Sequence, residues 1–177
     1  ENRRRLIDAL LCQLQPPYLQ QLMEYNKLLL QRNSLLKQMA ETNRRTDALL
    51  DILDDQLAER GSFVSAQRHR VLQQFLPQAA IHYQLIAGNE ELVTLGYQSQ
   101  VPLQSASDGK TAYLHLLKQA RAKDLAAQRT TAGIHRDDLQ LLLHHQPFKQ
   151  LASQGQRKSL LFALKLTEYE WLQQHKG

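Results

Sequence analysis

Apolar positions fall in helical rhythm over the first half of this chain. Across residues 1–14, Leu6, Ile7, Leu10, Leu11 and Leu14 line one helical face, and the start is basic through Arg3, Arg4 and Arg5. Pro16-Pro17 closes that helix and opens the next, because proline is tolerated in a first turn. Over residues 18–40, Leu22, Leu29 and Leu36 recur every seven residues; Tyr18, Tyr25 and Met39 form the alternate series, which Arg32 interrupts. The polar run 41–45 predicts a turn with Asn43 at the reversal. A second long helix is expected over residues 46–86, where Leu50, Leu57, Val64 and Val71 keep the same beat, supported by Leu53, Phe63 and Phe75. Gly61 should weaken its middle and Pro77 should bend it. At ~1.5 Å per residue, its first half can lie back along the preceding helix over some 30–40 Å. The simplest arrangement is an antiparallel helical arm.

Gly88-Asn89 breaks the rhythm. Residues 91–99 alternate through Val93, Leu95 and Tyr97 and predict a strand. Residues 102–109 read as a loop, with Ser107 or Asp108 capping a helix over 110–128. Two short strands are expected at 129–134 and 139–144, around the polar step His135-Arg136-Asp137-Asp138, and a last helix over 153–174. The expected fold class is therefore mainly α with a small α+β lobe. Residues 1–87 form the coiled-coil-like arm and residues 88–177 the lobe.

Composition agrees with long helices: 177 residues, 42% hydrophobic, only 6% aromatic, 7 Gly and 5 Pro. Lys and Arg number 22 against 17 Asp and Glu, a net charge of +5 that suits a nucleic-acid partner without demanding one. The basic residues of the arm, Arg3, Arg4, Arg5, Arg32, Lys37, Arg44, Arg45, Arg68 and Arg70, read on composition alone as a solvated helical face. The single Cys12 excludes an internal disulfide and a cysteine-based zinc site, and in Leu10-Leu11-Cys12 it reads as a small buried apolar residue. No apolar run approaches the ~20 residues that a bilayer requires, so neither signal peptide nor membrane span is expected and the cytoplasm is the natural setting.

Three short motifs carry less than they promise. Asp108-Gly109-Lys110-Thr111 lacks the glycine that a phosphate loop needs five positions earlier, where Gln104 stands, so it reads as a helix cap. His135-Arg136-Asp137 lacks the metal-binding Asn of a kinase catalytic loop, since Leu142 holds that position. His144-His145, adjacent in an expected strand, would face opposite ways, and the other histidines have no spaced carboxylate or Cys partner. No metal is expected.

The segment Ala152-Ser153-Gln154-Gly155-Gln156-Arg157-Lys158 is richer. It opens onto an apolar stripe, Leu160, Leu161, Ala163, Leu164 and Leu166, that should fix a helix to a core. Free N–H groups of the first turn, the Ser153 hydroxyl and the positive end of the helix dipole all favour a phosphate. No glycine-rich phosphate loop precedes it in the chain, and no apolar run ending in paired acidic residues follows. The chain carries one half of a nucleotide site.

Residues 131–139, Thr131-Ala132-Gly133-Ile134-His135-Arg136-Asp137-Asp138-Leu139, followed by Ala152 to Arg157 and the run Leu160 to Leu166, resemble the RecF family. Residues 1–8 and 25–37 resemble segments of the same family in the same order. Ile134 stands where that family usually has Pro, and Lys158 where Gln or Arg is common. RecF proteins are bacterial recombination mediators, DNA-repair ATPases related to the SMC-type ABC proteins. The resemblance implies an internal piece of a protein about twice as long, with Walker A before Glu1 and Walker B after Gly177. It implies that Ser153, Gln154, Gly155 and Gln156 are the signature motif, contacting in trans the ATP, with its Mg, held by the opposite subunit of an ATP-dependent homodimer. It further implies binding of duplex DNA and gapped or tailed junctions, and work with RecO and RecR in loading RecA during the SOS response to DNA damage. ATP hydrolysis would be slow and act as a switch, and this piece alone would not hydrolyse ATP. Arg3, Arg4, Arg5, Arg32, Lys37, Arg44 and Arg45 are the candidate DNA contacts on the arm. A competing expectation is a non-enzymatic coiled-coil interaction module, for which Ser-Gln-Gly-Gln before a buried helix has no use. An SMC-type head would need a much longer arm.

Overall fold

A computed structural model describes residues 2–88, 90–102 and 108–176. In chain order it contains α1 (Asn2–Leu14), α2 (Pro16–Glu41), α3 (Ala48–Ala87), β1 (Val93–Gln98), α4 (Gly109–Ala127), a 3-10 turn (Ile134–Arg136), β2 (Asp138–Leu143), β3 (Gln146–Pro147), α5 (Phe148–Leu151) and α6 (Gln154–Lys176). The chain is mainly helical with a small antiparallel sheet, as its sequence pattern predicts. Two compact units alternate along the sequence. One comprises Pro16–Arg68 with Ser99–Asp137; the other comprises Glu1–Gln15, His69–Gln98 and Asp138–Gly177. That division does not follow the expected boundary at 87/88: α4 packs with the arm helices, while α1 and the end of α3 pack with the sheet.

In the helical unit α2 and the first part of α3 run antiparallel. The register is read from Arg68 Nε donating to the Tyr18 hydroxyl (3.0 Å), Arg60 pairing with Glu24 (3.0 Å) and Arg32 pairing with Asp54 (2.6 Å). Leu35, Leu36, Met39, Leu50 and Leu53 fill the closed end, with Leu28 and Leu125 against them. Beyond it the chain reverses at Asn43, which takes a left-handed φ of 54°, and Asp47 accepts the Leu49 N–H at 2.8 Å at the start of α3. The α2 seam is the alternate series: Tyr18, Tyr25, Arg32 and Met39 are all buried. Arg32 does not interrupt it. The side chain is fully buried and donates to Asp54, to Asp124 of α4 (2.7 Å) and to Thr130 (3.0 Å).

Gly61 and Pro77 lie within an unbroken α3. Gly61 is required by contact: a Cβ there would lie 2.5 Å from the ring of Tyr113 in α4. That ring belongs to a directed hydrogen-bond chain. Thr130 O can only accept, so in the neutral His135 ring Nε2 carries the hydrogen (3.0 Å) and Nδ1 accepts from the Tyr25 hydroxyl (3.1 Å). The Tyr113 hydroxyl then donates to Tyr25 (2.6 Å) and accepts the Ile134 N–H (3.0 Å). Burial pushes both phenols above their ordinary range.

Residues 129–134 do not form the expected strand. Thr130 donates its N–H and hydroxyl to Asn33 (2.7 Å each), and Thr131 donates both of its own to Asp124 (2.8 and 2.6 Å), so side chains take the bonds a neighbouring strand would have taken. Arg68 fixes the 3-10 turn beyond them, donating to Ile134 O (2.9 Å) and Asp137 (3.1 Å). At the start of α4, Asp108 occupies the cap position without a side-chain capping bond; Ser107 lies outside the described residues.

In the other unit β1 pairs antiparallel with β2, from Val93↔Leu143 to Gln98↔Asp138, and β2 pairs with β3. His144 and His145 are the two turn residues between β2 and β3, with φ of 48° and 65°, and not the strand residues expected of them. The core joins Ile7, Leu10 and Leu11 of α1, Leu72, Phe75 and Tyr83 of α3, Leu139 and Leu143 of β2, and Leu160, Ala163 and Trp171 of α6. Cys12 is half-buried at its margin, and burial raises its thiol, helped by the nearby Asp8.

Replacing Arg32 with Met keeps the volume but leaves Asp54 and Asp124 as buried charges, each short of a partner. The expected loss is about 3–5 kcal/mol, read as a lower urea midpoint at unchanged slope. A loss under about 1 kcal/mol would show that the ion pairs do not hold the three helices.

Candidate functional site

The turn between α5 and α6 presents the phosphate-binding candidate. Ala152 is extended and buried, anchoring the entry, and Ser153 occupies the position before α6. The Ser153 Oγ accepts the Gln156 N–H at 3.2 Å, and Gln156 Oε1 accepts the Ser153 N–H at 2.8 Å. This is a reciprocal capping box with Gln in the third helical position. Since Ser153 Oγ is the acceptor in the box, its own hydrogen is not used there. Ser153, Gln154 and Gly155 are exposed and Gln156 is half-buried. Among the described residues, a Cβ on Gly155 would meet only Ser153 Oγ, at 3.9 Å, outside the helix's own backbone, so their packing does not require a glycine there.

The Gln156 amide reaches further. Its Nε2 donates to both carboxylate oxygens of Glu91, at 3.1 Å each, and His144 Nε2 lies 3.7 Å from the same carboxylate. Glu91 sits 65 residues earlier in the chain, just before β1, and no sequence signal marks it. On the following turn Arg157 donates to Lys149 O at 2.7 Å. Leu160, Ala163 and Leu164 bury the inner face of α6 as expected, but Leu161 is 57% exposed and lies off that stripe.

The candidate DNA contacts separate by burial. Arg32 is withdrawn from the set: its guanidinium is enclosed and committed to Asp54, Asp124 and Thr130, so no phosphate can reach it. Arg3 is exposed but tied to β2 through Asp138 (3.6 Å) and Leu139 O (3.4 Å), Arg4 is half-buried, and Arg5 is exposed. Lys37, Arg44 and Arg45 are exposed near the hairpin reversal, and Arg44 pairs with Asp47 at 2.8 Å. In the rejected phosphate-loop motif, Lys110 pairs with Asp55 at 3.3 Å.

The polarity of the Gln156–Glu91 pair yields a prediction. Gln156→Glu preserves the box acceptor but sets two carboxylates face to face, so it should destabilise by about 0.5–1 kcal/mol despite Glu being a favoured capping-box residue. Thermal unfolding of Gln156→Glu, alone and combined with Glu91→Gln, checks this: the second change should restore the midpoint. Equal midpoints for the single variant and the wild type would remove the pair from the energetics of the turn.

No family model matches the chain. Curated relatives match it end to end. The DNA replication and repair protein RecF of Flavobacterium johnsoniae is 38% identical over 177 residues, covering 100% of this chain and 47% of the relative. The RecF proteins of Cytophaga hutchinsonii and Porphyromonas gingivalis are 36% and 35% identical, covering 97% and 99% of this chain and 44% and 45% of theirs. Two solved structures of the recombination mediator protein RecF in the RecFOR pathway, RecF-ATPrS and RecF-ATP, superpose with a TM-score of 0.89 at 28% identity. They cover 98% and 99% of this chain and 47% of each solved chain. The chain spans about half the length of the curated relatives it matches, and across that span it is a segment of the RecF family.

Proposed function

We propose that the chain is the signature-bearing segment of a DNA repair and recombination ATPase, with Ser153, Gln154, Gly155 and Gln156 contacting the γ-phosphate of an ATP held by an opposite subunit. One observation carries this reading: an exposed, reciprocally capped helix start with a bare glycine, in a chain that is RecF-like throughout. Its donors are the unused Ser153 hydroxyl hydrogen and the free first-turn N–H groups, which meet an anion along the helix dipole. ATP, with Mg, would be sandwiched between two copies and close the dimer; the attacking water would be activated elsewhere in the parent protein. Similarity to RecF structures in ATP and ATPrS forms supports the nucleotide. Loading of RecA with RecO and RecR at single-strand gaps is the role this reading assigns to the parent protein.

In the RecF-length protein, Ser153→Arg should abolish ATP-dependent dimerisation while leaving ATP affinity of the monomer within about twofold. Sedimentation with and without ATP, beside a nucleotide titration, measures both. Normal dimerisation of this variant would sink the trans contact.

DNA contact belongs to the same reading, carried by Lys37, Arg44 and Arg45 at the hairpin reversal and by Arg3, Arg4 and Arg5 on α1. Affinity for a tailed duplex should fall steeply with salt. Changing Lys37, Arg44 and Arg45 together to Glu should reduce the log–log slope by roughly 0.9 for each phosphate no longer neutralised. Identical slopes would exclude these three residues from the interface.

A further inference from the structure

We infer that Glu91 is a positioning residue for the proposed nucleotide contact, setting the Ser153 hydroxyl through the Gln156 amide; this rests on the signature role proposed for Ser153. A Gln amide is nearly symmetric in shape, and rotation by half a turn exchanges its oxygen and its NH2. In one orientation Oε1 accepts the Ser153 N–H; in the other the NH2 faces that N–H, donor against donor, and the box fails. Ser153 alone favours the first orientation with one bond. Glu91 adds two more, because a carboxylate can only accept and both of its oxygens stand 3.1 Å from Nε2. With the amide so fixed, the Ser153 backbone is held by Oε1 and its Oγ by the Gln156 N–H. The hydroxyl hydrogen is the remaining donor of the residue, free to turn toward a phosphate oxygen.

Glu91 is also a negative charge beside a site read as anion-binding. Acting through its charge alone, it would oppose the phosphate, and neutralising it by any substitution would tighten the nucleotide-closed dimer. Acting by orientation, it needs an acceptor and not a charge. The two modes have opposite signs for Glu91→Ala, which removes both, and they part from each other at Glu91→Gln, which keeps an acceptor oxygen and loses the charge.

The experiment measures ATP-dependent dimerisation of the RecF-length protein by sedimentation, with ATP binding to the monomer as control. Glu91→Ala should weaken the dimer about tenfold, the effect of one missing charge-assisted hydrogen bond, while Glu91→Gln stays within about twofold of wild type or tightens it. Wild-type dimerisation by Glu91→Ala, or equal weakening by both variants, would overturn the assignment. Should Glu91→Ala not fold, Glu91→Leu decides: it keeps most of the side-chain volume, removes both acceptor oxygens and leaves residues 153–156 unchanged, so tenfold weakening supports the role and wild-type dimerisation overturns it. Ser153→Arg, run alongside, separates the two levels. If it dimerises normally, the nucleotide reading fails and takes this inference with it; if it does not, while Glu91→Ala does, the inference alone fails.

Discussion

A single guanidinium organises the helical unit. Arg32 lies fully buried where α2, α3 and α4 meet, and its bonds to Asp54, Asp124 and Thr130 each come from a different part of the chain. Burying such a group without partners would be prohibitive, so the three segments must converge on it together. Arg121 of α4 extends the network, bonding Asp54 at 2.9 Å and Asp51 at 2.6 Å, and these contacts hold the Asp51 carboxyl below its usual range. The geometry is selective as well as adhesive. A one-residue slip of α4 along the hairpin would strand charges on both sides, which apolar packing alone would not punish as sharply.

The same logic recurs along α2 at each seven-residue step toward its start. Tyr25 closes the hydroxyl chain with Tyr113 and His135, and Tyr18 receives Arg68. These polar contacts converge on residues 130–137, the irregular segment whose sequence carries the likeness to RecF. That segment has no ladder of its own. Its backbone groups are met by side chains of Asn33, Arg68, Gln100, Tyr113 and Asp124, so its shape depends on helices far away in sequence. Gly133, at φ 136°, lies so close to Tyr25 and Tyr113 that a Cβ would come within 2.6 Å of both hydroxyls.

In the other unit, the start of α6 obeys a comparable rule at the surface. Local capping satisfies the Ser153 and Gln156 N–H groups, and the distant Glu91 carboxylate accepts from the capping amide. On the proposed reading, the exposed Ser153 hydroxyl, the glycine and the remaining first-turn N–H groups are what an external phosphate would meet. The apolar inner face of α6 keeps these groups in place, with Trp171 bonding Gln78 of α3 at 2.6 Å.

Local chemistry made much of this legible from residues alone. The helices, the reversal at Asn43 and the antiparallel hairpin arise from periodicity and from the left-handed tolerance of Asn. The sequence by itself also determined the family, because the segments that resemble RecF are short, ordered and specific. Whatever depended on partners distant in the chain was decided only by tertiary structure. A lone Arg in a heptad reads as an interruption until Asp54 and Asp124 are brought to it. Residues 129–134 have strand propensity, yet side chains claim their backbone bonds. Glu91 is one carboxylate among many until folding sets it against Gln156. The physical reason is common to all three: periodicity reports which face a residue takes, whereas the sign and fit of its partner exist only once the chain has folded.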